Sequence, residues 1–285
     1  MGIDPVILQF LAAPIAASLI IAGIHAYLGL HVVERGVIFV DLSLAQIASL
    51  GAAIAVWQGF DPHDPAIYWM SLGFTLIGAF VFAMIKGQEA NIPQEAIIGI
   101  SYAVASAAVI LTMSKATGEA EHLRDMLVGN ILSVQWPEVY LTGGIYAVIG
   151  AVLFVFRKKF LEISQDSKAA AARGVPVRLW DFLFYSLFGL VVTRSVAIAG
   201  VLLVFCYLIV PSVGAMLWAN RIGSRLAIGW IMGVVVSMLG MYFSVIFDLP
   251  TGATIVCTFG LVLVLMAIVR VIVPRKTPFA IQSRA

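Results

Sequence analysis

Arg157-Lys-Lys-Phe-Leu-Glu-Ile-Ser-Gln-Asp-Ser-Lys168-Ala-Ala-Ala-Ala-Arg173-Gly174-Val-Pro176-Val-Arg178-Leu-Trp-Asp181 is the longest polar break in a strongly apolar chain. Six of the chain's 17 Lys and Arg sit in it, between two apolar segments. A basic loop flanked by membrane spans belongs on the cytoplasmic side, so this stretch orients everything else. Its middle reads as a short surface helix over 164–174. Ser164 or Asp166 caps the start, four alanines favour the interior, and Gly174 followed by Pro176 stops it. Pattern alone leaves two readings open: a helix that docks into a groove on another protein, or a linker with one helical turn.

The segments on either side say what the solvent is. Of 285 residues, 62% are hydrophobic and only 11% charged, and mean hydropathy is +1.05. Soluble domains are nearer half apolar and a quarter charged, so most of this surface faces lipid. The fold class expected is an all-α polytopic membrane protein with eight to nine transmembrane helices, one transmembrane domain over 1–285. Spans are expected at about 6–30, 37–57, 66–85, 95–114, 138–156, 182–196, 198–219, 226–247 and 253–273. His31 to Gly36 reads as the turn between the first two, and an amphipathic interfacial piece is expected over 121–132. Almost nothing joins the sixth and seventh spans, so a broken hairpin there would leave eight crossings.

Nine crossings with 157–181 inside put the amino terminus outside and the carboxyl terminus inside. Fourteen of the 17 Lys and Arg then lie on inner segments, and only Lys115, Arg124 and Arg194 on outer ones. The bias supports the orientation. Met1-Gly2-Ile3-Asp4-Pro5 carries no basic stretch of the kind that opens a signal peptide. Cys206 and Cys257 fall within apolar spans and read as packing residues.

Several activities are disfavoured by what the chain lacks. It has no G-x-x-x-x-G-K-[ST] phosphate loop, so ATP is expected on another chain. G-x-S-x-G and H-E-x-x-H are missing as well, which weakens a hydrolase or protease.

Polar residues inside spans carry the remaining signal, because a charge there is costly enough to imply a purpose. Asp41 sits near the start of the second span, with Ala45, Ala48 and Ala52 on its face and Gln46 partly round from it. A turn centred near Val33 would bring His25 and Asp41 to similar depth. They read either as a structural pair locking two helices or as a metal-contacting pair. Pro211 in the seventh span reads as a packing kink or a gate. In Asp248-Leu-Pro250-Thr-Gly252, Asp248 is expected to cap the turn that follows. Asp61, His63 and Asp64 read first as a solvated turn, and secondarily as an outer metal-attracting cluster.

Val201 to Leu217, with Pro211 inside it, resembles the permease family of metal-ion ABC importers. Asp248-Leu-Pro-Thr-Gly-Ala-Thr-Ile-Val256 matches that family's D-L-P-[ST]-G-A-T-I-V signature. Glu95-Ala-Ile-Ile-Gly-Ile and Gly129-Asn-Ile-Leu132 resemble its E-A-x-I-G-I and G-N-I-L patches. Ala171-Ala-Arg-Gly-Val-Pro-Val177 resembles the segment where the coupling helix meets the ATPase. The resemblance implies a membrane-spanning permease for zinc, manganese or iron in the inner or plasma membrane. It further implies a homodimer with two ATPase chains that hold the ATP, an extracytoplasmic metal-binding protein, no nucleic acid and no cofactor on this chain. Coupling would fall to Asp166, Lys168, Ala171, Arg173, Gly174 and Pro176, and gating to Pro211, Asp248, Pro250 and Gly252.

One motif departs from the family. Where many members carry G-D-A-L-S-H in the second span, this chain has Asp41-Leu-Ser-Leu-Ala45-Gln46. The alignment puts Leu42 at the family's Asp and Gln46 at its His. The tentative ion path is therefore Asp41 and Gln46 with an imidazole from His25. Readings from other classes are an ion-coupled secondary transporter and an intramembrane enzyme using Asp41 and His25.

Overall fold

The computed structural model describes residues 5–61, 64–85, 93–114 and 131–273. Residues 121–130 of the predicted interfacial piece over 121–132, His63, and the Lys86, Lys115, Arg124, Arg275, Lys276 and Arg284 of the charge count lie outside them. The described residues form α-helices and one 3-10 turn, without a strand. In chain order the helices are α1 (Pro5–Arg35), α2 (Val40–Trp57), α3 (Pro65–Ile85) and α4 (Gln94–Met113). After the turn Ile131–Ser133 come α5 (Trp136–Val155), α6 (Arg157–Gln165), α7 (Ser167–Ala172), α8 (Val177–Ala199), α9 (Val201–Trp218), α10 (Ile222–Phe247) and α11 (Thr251–Ile272). Among the described residues nine helices, all but α6 and α7, are long and apolar enough to cross a membrane. The broken-hairpin alternative is not what forms. α8 and α9 meet at Gly200, whose φ of 78° and ψ of 161° suit a residue without Cβ.

Two boundaries differ from the sequence reading. His31 to Arg35 is not a turn but the last part of α1, and His31 and Val32 are buried. Leu28, Val32 and Arg35 recur at i, i+4 and i+7, so the polar residues continue the helical face. The reversal falls at Gly36, whose φ is 67°. Its amide bonds to Val33 O and that of Val37 to Val32 O, a glycine-ended helix stop. At the other boundary α8 starts at Val177 rather than 182, so Asp181 lies within a helix and is buried.

The helices sort by what each packs against. α1 lies against α5, α9 and α10, whereas α2 lies against α3, α4 and α8. Glycines mark the closest approaches. A Cβ on Gly29 would sit 2.0 Å from Leu208 O of α9, and one on Gly51 would sit 2.8 Å from Met70 O of α3. The Ala45, Ala48 and Ala52 stripe is buried with Gly51, so it serves close packing. α4, α5 and α11 leave broad apolar faces outward, among them Val104, Leu111, Val148, Leu265 and Val271.

Candidate functional site: an exposed helical module and buried polar residues

The basic stretch that opens at Arg157 folds as two short helices, α6 and α7, before α8 begins at Val177. α6 is amphipathic and buries Phe160, Ile163 and Ser164. Phe160 meets the rings of Trp180 and Phe184 of α8 at 5.7 and 5.8 Å. Asp166, not Ser164, caps α7, its carboxylate accepting from Ala169 N at 2.9 Å. Gly174, at φ 79°, ends it, with Gly174 N bonded to Ala171 O and Val175 N to Ala170 O. Ala170 alone in α7 is buried. Asp166, Lys168, Ala171, Arg173, Gly174 and Pro176 are all exposed. One short helix and its ends thus leave every residue of the predicted coupling set exposed. Arg173 ties the two helices together, its Nη2 2.8 Å from Glu162 Oε1, and Lys159 adds a contact at 3.5 Å. The hydrogen bond from Arg173 holds the Glu162 carboxyl below the usual carboxylate range.

Between this module and the bundle lies a polar junction that sequence reasoning missed. Arg35 donates from Nε to Ser164 Oγ at 2.8 Å and from Nη1 to Asp181 Oδ1 at 2.5 Å. His31 Nδ1 lies 2.9 Å from the same serine oxygen. Ser164 Oγ thus accepts from Arg35 Nε and also has His31 Nδ1 within hydrogen-bond reach. Glu34 pairs with Arg225 of α10. The Phe39 amide donates to Glu95 Oε1 of α4 at 3.1 Å. The sequence signal was the helical phase of Arg35 with Leu28 and Val32, which hydropathy overrides near a span's end.

The predicted ion-contacting residues lie on α1 and α2. His25, Asp41 and Gln46 are all buried, at 0%, 1% and 7% exposure. His25 and Asp41 do not pair. His25 Nδ1 bonds to Ile21 O at 2.9 Å on its own helix, and neither His25 Nε2 nor Asp41 Oδ1 has a hydrogen-bond partner. The matched depth is not found either. With the reversal at Gly36, His25 stands ten residues, about 15 Å, along α1 from Arg35, whereas Asp41 is in the first turn of α2. α1 and α2 also pack against different neighbours. Among the described residues no group of three or more His, Cys, Asp or Glu is arranged to hold a metal ion. What remains are an imidazole nitrogen and a carboxylate oxygen, buried on separate helices.

The predicted gating residues divide. Pro211 is buried inside an unbroken α9, where α1 and α10 both come close at Gly29 and Gly229. Asp248 does not cap the next helix, since Pro250 holds that place without a side-chain bond. Asp248 instead ends α10 in the left-handed region at φ 51°. Ser244 and Thr251 close the turn, their hydroxyl oxygens 2.6 Å apart, and Gly252 is buried behind them. On the outer side, Asp64 Oδ1 accepts from Ala66 N at the start of α3, a capping role. Arg194 donates to Thr142 Oγ1 of α5 at 3.1 Å.

Comparison with known proteins puts this architecture in context. The Manganese transport system membrane protein MntC of Halalkalibacterium halodurans is 27% identical over 249 residues, 87% of this chain and 83% of that protein. The Manganese import system permease protein ScaB of Streptococcus gordonii is 25% identical over 256 residues, 89% of each. Among solved structures, PsaBC from Streptococcus pneumoniae in complex with Fab aligns with a TM-score of 0.76 at 26% identity, covering 91% of this chain and 92% of that one. An inward-facing metal-chelate type ABC transporter aligns at a TM-score of 0.70 and 21% identity, a likeness of fold alone. The family model described as ABC 3 transport family matches residues 7–270. With nearly the whole helical bundle matched, the chain belongs to the ABC 3 transport family, as a multi-pass permease component.

Proposed function

We propose that this chain is the membrane permease of an ATP-driven manganese importer. It would work as a homodimer with two separate ATPase chains and receive the ion from an extracytoplasmic binding protein. The observation that carries the reading is α7, a capped, glycine-ended helix exposed on the inner side and tied down by α6. An ATPase groove can push on such a rigid element. Closure of the ATPases would displace α6 and α7 and rock the bundle between outward and inward access. The broad apolar faces of α4, α5 and α11 suit lipid and a second copy.

The cargo assignment leans on the relatives, two of which are named for manganese. An imidazole and carboxylate pair also suits zinc and ferrous iron. His25 and Asp41 meet the ion at successive levels of one path, with Gln46 adding a neutral oxygen. Their unpartnered atoms support the role, since a merely structural pair would bond to itself.

Uptake of radioactive Mn2+ tests this, with excess Zn2+ or Fe2+ as competitors, in cells carrying wild type or the His25→Asn/Asp41→Asn double variant. Wild type should import Mn2+ only while ATP is available and should bring down an ATPase on purification. The double variant should reach the membrane and retain the ATPase, yet lose at least about nine-tenths of uptake. Uptake near wild type would remove His25 and Asp41 from the path. Uptake indifferent to ATP would favour an ion-coupled secondary transporter.

A further inference from the structure

Arg35 joins elements that no other contact of its helix joins as tightly. From the inner end of α1 it reaches Ser164 of α6 and Asp181 of α8 with two different nitrogens. Its guanidinium carbon lies 4.1 Å from the centre of the Phe184 ring and 5.9 Å from that of Tyr185. The arginine and aspartate side chains are 1% and 0% exposed. Tyr185 carries the connection on, its hydroxyl accepting from Gln94 Nε2 of α4 at 3.4 Å. The same amide donates to Phe82 O of α3 at 3.3 Å.

A bolt meant only to hold helices together does not need this chemistry. Burying an ion pair is a poor route to stability, because apolar residues of similar volume usually serve as well or better. What a guanidinium adds is direction. Its planar fork fixes the relative orientation of every group it engages, which a lysine ammonium cannot do. Arg35 lies on the same continuous helix as His25, about 15 Å away along α1. The neighbouring Glu34–Arg225 pair is partly exposed, 33% and 16%, and holds the weaker grip that solvent-screened pairs have. Beside the joint a cavity of about 20 Å³, lined by Tyr27, His31, Glu34 and Ser164 among others, leaves room for one water. The joint is thus buried and bonded at Asp181, and partly exposed beside a small cavity at Glu34.

We propose that Arg35 is a positioning residue for transport. It transmits displacement of the α6–α7 pair to α1 and α8 together, and through α1 to the level of His25. The inference rests on the reading of this chain as an ATP-driven permease. Ser164 is the receiving point on the cytoplasmic module, and Asp181 fixes the angle at which Arg35 receives the push. Without the fork the ATPases still bind α7 and still hydrolyse ATP, but the stroke is lost between α6 and α1.

The test is the number of Mn2+ ions imported per ATP hydrolysed. It is measured in proteoliposomes holding the permease with its co-purifying ATPase and supplied with the binding protein. The Arg35→Met/Asp181→Leu double variant removes the pair without stranding a charge. Arg35→Lys keeps the charge and loses the fork, and it decides the matter if the double variant does not reach the membrane. Each should retain the ATPase and hydrolyse ATP within about twofold of wild type, while import per ATP falls about tenfold for the double variant and severalfold for the lysine. A purely structural role would lower hydrolysis and import together and leave their ratio unchanged, and that result overturns the proposal. If wild type itself imports no Mn2+ on ATP addition, the permease reading fails and this inference goes with it. Wild-type import with an unchanged ratio in both variants sinks the inference alone.

Discussion

The inner junction and the middle of the bundle bury the same kinds of side chain and treat them in opposite ways. Around Arg35 the charge meets a carboxylate, the serine oxygen serves two neighbours and the cation lies over an aromatic face. Around His25 and Asp41, an imidazole nitrogen and a carboxylate oxygen are sealed from water with no partner. An unmet buried polar atom costs about 1–3 kcal/mol. Arg35 Nη2 is one as well, so the two regions differ in how many contacts each side chain makes rather than in whether every atom is met. Arg35 is bonded to two other helices, whereas His25 bonds only within its own.

Removing one carboxylate from each region separates the two most sharply. Asp181→Ala strands Arg35 in an apolar surround, a change that costs about 3–5 kcal/mol in buried pairs. Thermal unfolding in detergent should fall by many degrees, or the protein should fail to accumulate. Asp41→Asn strands no charge, and Asp41 Oδ1 holds no hydrogen bond to lose. Its melting temperature should stay level or rise, while Mn2+ uptake is lost. Equal destabilisation by both would erase the distinction, and would mean that Asp41 is held by contacts as structural as those of Asp181.

The two regions were also unequally legible in the sequence. The nine apolar runs, the Asp166 cap and the Gly174 stop are local signals, each set within one stretch of chain. The joint is not local. Arg35 and Asp181 are 146 residues apart, and no periodicity in either segment names the other. Hydropathy also misled at His31 to Arg35, where polar residues at the end of a span looked like a turn although their phase continued the helix. The expected His25–Asp41 pairing failed for a related reason. It assumed that consecutive spans pack side by side, whereas α1 turns to α5, α9 and α10, and α2 to α3, α4 and α8. Burial of both residues was readable from charge inside apolar runs, but their levels were not.

A smaller effect is expected at the end of α7, where the junction's force would enter. Gly174 has φ 79°, and a Cβ built there meets nothing within 4 Å. Gly174→Val is therefore strained by its backbone alone, by about 1–2 kcal/mol. That is enough to unwind one short helix and too little to unfold the bundle. Melting temperature should change by no more than a few degrees, while ATPase recovered with the purified permease drops severalfold. Full recovery of the ATPase would place docking elsewhere on the inner surface, and the joint at Arg35 would then receive its push from another element.

The smallest expected effect tests whether α6 and α7 move as one body. Glu162 holds Arg173 across the two helices, and the hydrogen bond holds its pKa below that of a free glutamate. A carboxylate depressed in the folded protein contributes above the unfolded pKa, and that contribution is lost as pH falls through the folded value. The pair is solvent-exposed and screened by salt, so its loss should loosen α7 without touching the bundle. Amide exchange protection of α7 should therefore decline in wild type as pH drops below the ordinary glutamate range. In Glu162→Gln it should already be lower at neutral pH and flatter with acid, with α1 unchanged in both. Protection in the variant that tracked wild type at every pH would show that Phe160 and Ala170 packing alone fixes the pair. The arginine at 173 would then be left for the docking surface, and the push on Ser164 would come through apolar contact rather than through a charge.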